Sequence, residues 1–196
     1  MFAPIMNIEE SVNPRTNQTN YIIRLDQTRF LFPTNFGLNQ TRSRFKLDPS
    51  KANDICTLIV PDDGVKALMD IGVNVAHTNP NPEYPDEPLY SFVNVKVNYA
   101  GTIPVKMCLV DTRTQPPAVT PLTPGNAVEI DKAYDGRAIE MVRAIITTYQ
   151  NDPAINRRTL YLRTLYVHIT NAVSPIQFDP WADAYGAPAM PDNLPF

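Results

Sequence analysis

The stretch Val93-Asn94-Val95-Lys96-Val97-Asn98-Tyr99 has the clearest alternation of apolar and polar residues in the chain. Successive side chains of a β-strand point to opposite faces of its sheet, so the valines and the tyrosine share one face and the polar residues share the other. The pattern predicts a strand that has one face in a core and one face in solvent.

Further strands are predicted on both sides of this stretch. They are short, rich in β-branched or aromatic residues, and bounded by polar residues or Pro; they lie at 21–25, 29–32, 55–60, 105–110, 139–149 and 159–170. A Gly-containing loop at 100–104 predicts a hairpin between the opening stretch and 105–110.

One helix is predicted between these strands. Asp62 or Asp63 can cap its N-terminus, Val65, Leu68 and Met69 form an apolar stripe, and Gly72 can end it in the left-handed conformation. Short strands without alternating strand–helix units indicate an all-β fold with one or two short helices. We expect an OB-fold-like small barrel over 1–170 and a disordered, acidic, Pro-rich C-terminal tail over 171–196.

The charged residues are grouped along the chain. The formal net charge is −3, but 15–46 holds six basic residues against one acid, and 137–168 holds five arginines against two acids. The segment 171–196 holds three acids and no base. Arginine suits phosphate because its planar guanidinium can donate two hydrogen bonds at once and stack on a base.

Aromatic residues are interleaved with these bases, a combination that binds single strands by stacking and by charge. Tyr161 and Arg163 are predicted on one face of their strand and Tyr166 and His168 on the other, so only one of these pairs can face a groove. The residues predicted to contact nucleic acid are Arg29, Phe36, Arg42, Arg44, Phe45, Lys96, Arg143, Arg158, Tyr161 and Arg163.

Catalytic signatures are absent from the sequence. It contains no Gly-rich phosphate loop followed by Lys, no paired-His metal motif and no nucleophile elbow. We therefore expect no enzymatic activity, no catalytic residue, no metal and no cofactor. The N-terminus carries neither a secretory signal nor a membrane span, which favours a cytoplasmic protein without a membrane partner.

The chain ends in Met190-Pro191-Asp192-Asn193-Leu194-Pro195-Phe196. A free carboxylate beside an exposed Phe, with Pro and Asp upstream, suits an apolar pocket with a basic rim, a recurring mode of peptide capture. The tip resembles that of bacterial single-stranded DNA-binding proteins, which implies recruitment of partner proteins. The partner-binding residues are then Asp192, Leu194, Pro195 and Phe196.

From Arg29 to Ile169 the chain resembles the OB-fold single-stranded DNA-binding proteins encoded by bacteriophages. The resemblance implies an OB barrel that coats exposed DNA during replication or recombination in the host cytoplasm. It rests on segments that occur in the same order: Phe32-Pro33-Thr34-Asn35-Phe36-Gly37, Val65, Leu68, Gly72-Val73-Asn74-Val75, Val95-Lys96-Val97, Ile103-Pro104-Val105-Lys106, Tyr161-Leu162 and Tyr166-Val167.

A different class of protein fits the same features. In a structural or scaffold β-sandwich, such as a virion component, the Arg-rich segments would pair with neighbouring subunits. Such a protein would self-associate and would not bind DNA. The sequence leaves open the oligomeric state and the choice between DNA and RNA.

Overall fold

The computed structural model describes residues 3–12, 17–37, 54–83, 85–99, 104–150 and 155–170. This part of the chain is mostly β, with two short helices, as predicted. In chain order the elements are β1 (Ile5–Val12), β2 (Thr19–Thr28), β3 (Asp54–Val60), a 3-10 turn (Asp62–Gly64), α1 (Val65–Asp70), β4 (Ala76–His77), β5 (Ser91–Val97), β6 (Lys106–Asp111), β7 (Ala118–Leu122), α2 (Val128–Asp135), β8 (Ile139–Gln150) and β9 (Arg158–Ile169). The predicted tail at 171–196 lies outside the described residues.

The nine strands form one mixed sheet in which β9 is the shared strand. The main path runs β1-β2-β8-β9-β5-β3, and β6 joins β9 while carrying β7 on its other edge. β8 lies antiparallel along one side of β9. On the other side β5 and β6 both run parallel to β9, with Lys96 opposite Tyr161 and Lys106 opposite Thr164.

The sheet is not closed into the predicted small barrel. The nearest approach to closure is a bridge between Phe30 and Leu58, where the Leu31 N–H donates to the Thr57 carbonyl at 3.1 Å. The predicted strand at 29–32 is wrong, because only this bridge forms there. Pro33 follows directly, and a proline has no N–H to continue a ladder and restricts the residue before it.

The predicted hairpin between 93–99 and 105–110 is also wrong. β5 pairs antiparallel with β3, and β6 pairs antiparallel with β7, a strand that the sequence analysis did not predict. β5 and β6 instead pair with the same edge of β9, β5 at Tyr161 and β6 from Thr164 onward. Partner choice of this kind depends on distant segments, so the local alternation could not reveal it.

The helix prediction is confirmed in position. Leu68 is buried and Gly72 has a φ of +83°. The predicted stripe differs, because Met69 is exposed. The predicted cap differs too: the helix N-terminus has no side-chain cap, and Asp62 instead accepts a hydrogen bond from the Ser91 hydroxyl at 2.7 Å. A Cβ on Gly72 would lie 2.8 Å from the Asn156 carbonyl oxygen, so a glycine is required by both the φ angle and the space.

The core lies on one face of the sheet. The alternation of the opening stretch is confirmed, since Val93, Val95 and Val97 are buried and Asn94 is exposed. The same face carries apolar residues from the neighbouring strands, among them Ile23, Leu25, Leu58, Val142, Ile146, Leu160, Leu162, Leu165 and Val167.

A buried carboxylate anchors the segment that follows β2. Asp131 on α2 is 2% exposed, and it accepts hydrogen bonds from the Thr34 hydroxyl at 2.7 Å, the Phe36 N–H at 2.9 Å and the Gly37 N–H at 2.7 Å. A charge removed from water needs such donors, because an unsatisfied buried carboxylate is costly. α2 therefore fixes the path of 34–37.

We expect Asp131→Asn to lower the free energy of unfolding by about 1–3 kcal/mol. The substitution replaces one accepting oxygen with an NH₂ group, which would then face a hydrogen-bond donor of the 34–37 segment. Urea denaturation measures the loss. Glu129→Gln on the same helix is the matched control, since its exposed pair with Lys132 contributes no more than about 1 kcal/mol. Equal effects of the two substitutions would contradict the anchoring role of Asp131.

Candidate nucleic-acid interface

One extra residue in β9 brings the predicted aromatic residues to the same face of the sheet. Ile145 lies opposite Thr164 while Ile146 lies opposite Leu162, so Arg163 is inserted as a β-bulge. Before the bulge Leu160 and Leu162 are buried, and after it Leu165 and Val167 are buried. The alternation of β9 therefore shifts by one residue at Arg163.

This shift corrects the prediction that only one pair could face a groove. Tyr161, Tyr166 and His168 all lie on the face opposite to the core, with Tyr166 38% exposed. The sequence contained the signal, because the buried apolar positions change from even to odd numbers between Leu162 and Leu165. We call Tyr161, Tyr166, His168 and their cross-strand neighbours Lys96 and Arg143 the outer face.

Each tyrosine of the outer face has a cation across the ladder. Tyr161 lies opposite Lys96 of β5, and the Lys96 Nζ is 5.8 Å from the centroid of its ring. Tyr166 lies opposite Arg143 of β8. A cation beside an aromatic ring can contact a phosphate while the ring stacks on the adjoining base.

Arg143 of the outer face also forms an ion pair with an acid of β2. Its Nε donates to the Asp26 carboxylate at 2.7 Å, and its side chain is about half exposed. Arg24 forms a similar exposed pair with Glu9 at 3.2 Å. The β1–β2 side of this surface thus carries both signs of charge.

A groove of about 450 Å³ lies on the β5 side. It exists because a bridge joins Val73 to Arg158, with the Arg158 N–H donating to the Gly72 carbonyl at 2.8 Å. Among the residues that the structure describes, no carboxylate lines it. Its lining residues are Ile55, Val73, Asn74, Ala76, Phe92, Asn94, Lys96, Ile155, Arg157, Arg158, Thr159 and Leu160.

Arg158 lies in the wall of this groove, but its guanidinium is turned toward β2. Its Cζ is 4.8 Å from the centroid of the Tyr21 ring, and its Nη1 donates to the Thr19 carbonyl at 2.8 Å. The side chain therefore holds the start of β2 against β9. Arg157, which the sequence analysis did not select, is exposed and lines the groove.

The remaining predicted residues lie elsewhere. Phe36 is 1% exposed, and its ring packs edge-on against the Phe30 ring with 5.7 Å between the ring centroids. The Phe36 ring therefore belongs to the core and not to a stacking surface. Arg29 is partly buried, and its carbonyl accepts from the Ile59 N–H at 3.1 Å. Outside the described residues lie Arg42, Arg44, Phe45, Asp192, Leu194, Pro195 and Phe196.

A chain of three polar side chains lies at the β4–β5 end of the sheet. The Ser91 hydroxyl donates to Asp62 at 2.7 Å, and the His77 Nδ1 is 3.1 Å from the same hydroxyl oxygen. A carboxylate can only accept, so the serine proton points to Asp62 and the imidazole is the donor. This is the reverse of the polarity in which a histidine activates a serine nucleophile.

The described residues offer neither a cluster of metal-ligating side chains nor a helix that could span a membrane. Across the ranges given above, no three His, Cys, Asp or Glu side chains are grouped so that they could hold a metal ion. Neither helix in that part of the chain has the length and apolar character needed to cross a bilayer.

Comparisons of this chain with protein-family models, with curated proteins and with solved structures gave no match. The fold and the site define a mostly-β protein with a cation–aromatic outer face and an adjoining groove whose described lining residues include cations and no acid.

His168 reports on the charge of the outer face. Burial lowers its pKa below the ordinary value of 6.5, the Arg143 cation lowers it further, and Glu140 and Asp26 act in the opposite direction. The fold therefore favours the neutral imidazole. The stability that comes from this preference is present above the unfolded pKa and is lost as the pH falls through that value toward the folded pKa.

We expect Arg143→Met to raise the pKa of His168, because it removes a nearby cation and releases Asp26. An NMR titration of the imidazole resonances measures the change. Lys66→Met on α1 is the control, since Lys66 pairs with Asp70 and is not among the charges that perturb His168. If Arg143→Met left the pKa of His168 unchanged, the proposed effect of the Arg143 cation on His168 would be contradicted.

Proposed function

We propose that this protein is a non-enzymatic single-stranded DNA-binding protein. It coats DNA largely without sequence specificity during replication or recombination. The observation that supports this most directly is the pairing of Tyr161 with Lys96 and of Tyr166 with Arg143 on one continuous face. Rings that stack and cations that follow the backbone are the two components of sequence-tolerant single-strand binding.

The same arrangement favours single strands over duplex. A duplex keeps its base faces stacked inside, whereas a single strand offers them to exposed rings such as Tyr166. Each base stacked on an aromatic side chain contributes on the order of 1–3 kcal/mol. Phosphate contacts add a term that is independent of sequence and weakens with salt.

The proposal includes an OB-like fold and a recruiting tip. The path β2-β8-β9-β5-β3, with the Phe30–Leu58 bridge joining the residues just after β2 to β3, supports an OB-like strand arrangement in a sheet that is not closed into a barrel. The residues Asp192, Leu194, Pro195 and Phe196 would bind replication or recombination proteins through the Phe ring and its neighbouring side chains.

We expect the double variant Tyr161→Ala, Tyr166→Ala to bind oligo-dT at least about thirtyfold more weakly, because the loss of two stacking surfaces costs about 2–6 kcal/mol. Fluorescence anisotropy of labelled oligo-dT and of an equally long duplex, at two salt concentrations, measures both affinity and selectivity. Tyr161→Phe, Tyr166→Phe keeps the rings and should bind as the parent does. Equal binding of strand and duplex by the parent chain would refute the proposal.

The charge contribution has its own matched pair. Lys96→Ala should lower the magnitude of the salt slope by about 0.7, the value for one phosphate contact on a single strand. Lys66→Ala removes the same charge from α1, where its ammonium pairs with Asp70. If both variants changed the slope equally, net charge and not the outer face would govern binding.

A self-associating scaffold protein is the second candidate. The observation in its favour is β1, which pairs with β2 along one side and carries exposed Ile5 and Val12. An edge strand with exposed apolar residues can add a strand from another chain. Large homo-oligomers that ignore oligo-dT in the same titration would favour this alternative.

A further inference from the structure

We propose that the groove beside β5 is a nucleotide subsite in which the Asn94 side chain donates a hydrogen bond to a base keto oxygen. The subsite would make the protein prefer thymine to adenine at one position of the bound strand. This inference rests on the proposed function and adds a specificity-determining residue to it.

The orientation of Asn94 is set by its cross-strand neighbour. Thr57 lies directly opposite Asn94 in the β3–β5 ladder, and its hydroxyl donates to the Asn94 Oδ1 at 2.8 Å. The amide oxygen is thereby engaged on the β3 side. The amide nitrogen keeps its two N–H groups for a ligand, and Asn94 lines the groove.

The other lining residues define the class of ligand. Lys96 and Arg157 supply positive charge, and Ile55, Phe92 and Ile155 supply apolar surface. Because the described part of the lining holds cations and no carboxylate, the groove favours an anion that also carries an apolar ring. Its volume of about 450 Å³ lies within the usual range for small-molecule sites. A nucleotide combines the required phosphate, ring and acceptor oxygens.

Lys96 connects this groove to the outer face. Its ammonium lies over the Tyr161 ring at 5.8 Å, and its side chain also lines the groove. A strand whose base stacks on Tyr161 can therefore pass its next phosphate to Lys96 and place an adjoining base beside Asn94. One continuous track then joins the stacking surface to the subsite.

The hydrogen-bond chemistry distinguishes the bases. The usual bidentate recognition of adenine by Asn uses the amide N–H toward N7 and the amide oxygen toward the N6 amine. Because Thr57 already donates to that oxygen, the second half of this recognition is weakened at Asn94. A keto oxygen, as in thymine, needs only the N–H.

The test compares affinities for oligo-dT and oligo-dA by anisotropy. Asn94→Asp has the same shape and can still accept from Thr57, but it has no N–H to donate. We expect it to reduce the dT/dA affinity ratio by about three- to tenfold, the effect of one hydrogen bond. Gln115→Glu, in the exposed turn between β6 and β7, adds the same charge and should leave the ratio unchanged.

Thr57→Val provides an independent second variant. It removes the hydroxyl that orients Asn94, so it should lower the dT/dA ratio without changing the charge. In the parent protein labelled at its side-chain amides, the Asn94 NH₂ resonances should shift on adding thymidine monophosphate.

The outcomes separate the subsite from the proposed function. Binding of oligo-dT with a dT/dA ratio that is the same in the parent, Asn94→Asp and Thr57→Val would overturn the subsite and leave single-strand binding intact. Failure of the parent to bind either oligonucleotide would overturn both.

Discussion

The outer face depends on the burial of Leu165 and Val167 on the other side of the sheet. A strand without a bulge that buries Leu160 and Leu162 would bury Tyr166 and His168 and expose Leu165 and Val167. Burying a Leu or Val side chain contributes about 1.5–3 kcal/mol, so the extra residue at Arg163 restores several kcal/mol of core packing. The alignment of the tyrosines on one face is thus a consequence of core packing, and the core holds it in place.

The position of β9 explains how residues from distant parts of the chain meet. β8 occupies one edge of β9 along its whole length, while β5 and β6 divide the other edge between them. Because β5 meets β9 only near Tyr161, the segment around Val73 can reach Arg158 and form the far wall of the groove. The groove therefore results from a parallel pairing that is one residue pair long.

Local patterns in the sequence predicted the elements whose structure is decided locally. The alternation around Val95, the glycine at the end of α1 and the strands β3, β8 and β9 belong to this class. Predictions that depended on a partner were wrong: the strand at 29–32, the hairpin after Tyr99 and the accessibility of Phe36. Phe36 is buried because a carboxylate nearly a hundred residues later, Asp131, accepts from its backbone N–H, and no local pattern encodes that contact.

The charges of the outer face indicate where binding energy would concentrate. Arg143 already donates to Asp26 at 2.7 Å, so a phosphate that contacts it must compete with a carboxylate, and the net gain is reduced. Lys96 has the Tyr161 ring as its neighbour, and within the described ranges no acid lines the groove that it enters. A strand bound as proposed would consequently gain more on the β5 side of β9 than on the β8 side. The stacking ring, the cation and the oriented Asn94 amide all lie on that side, so the strand would be held most firmly there.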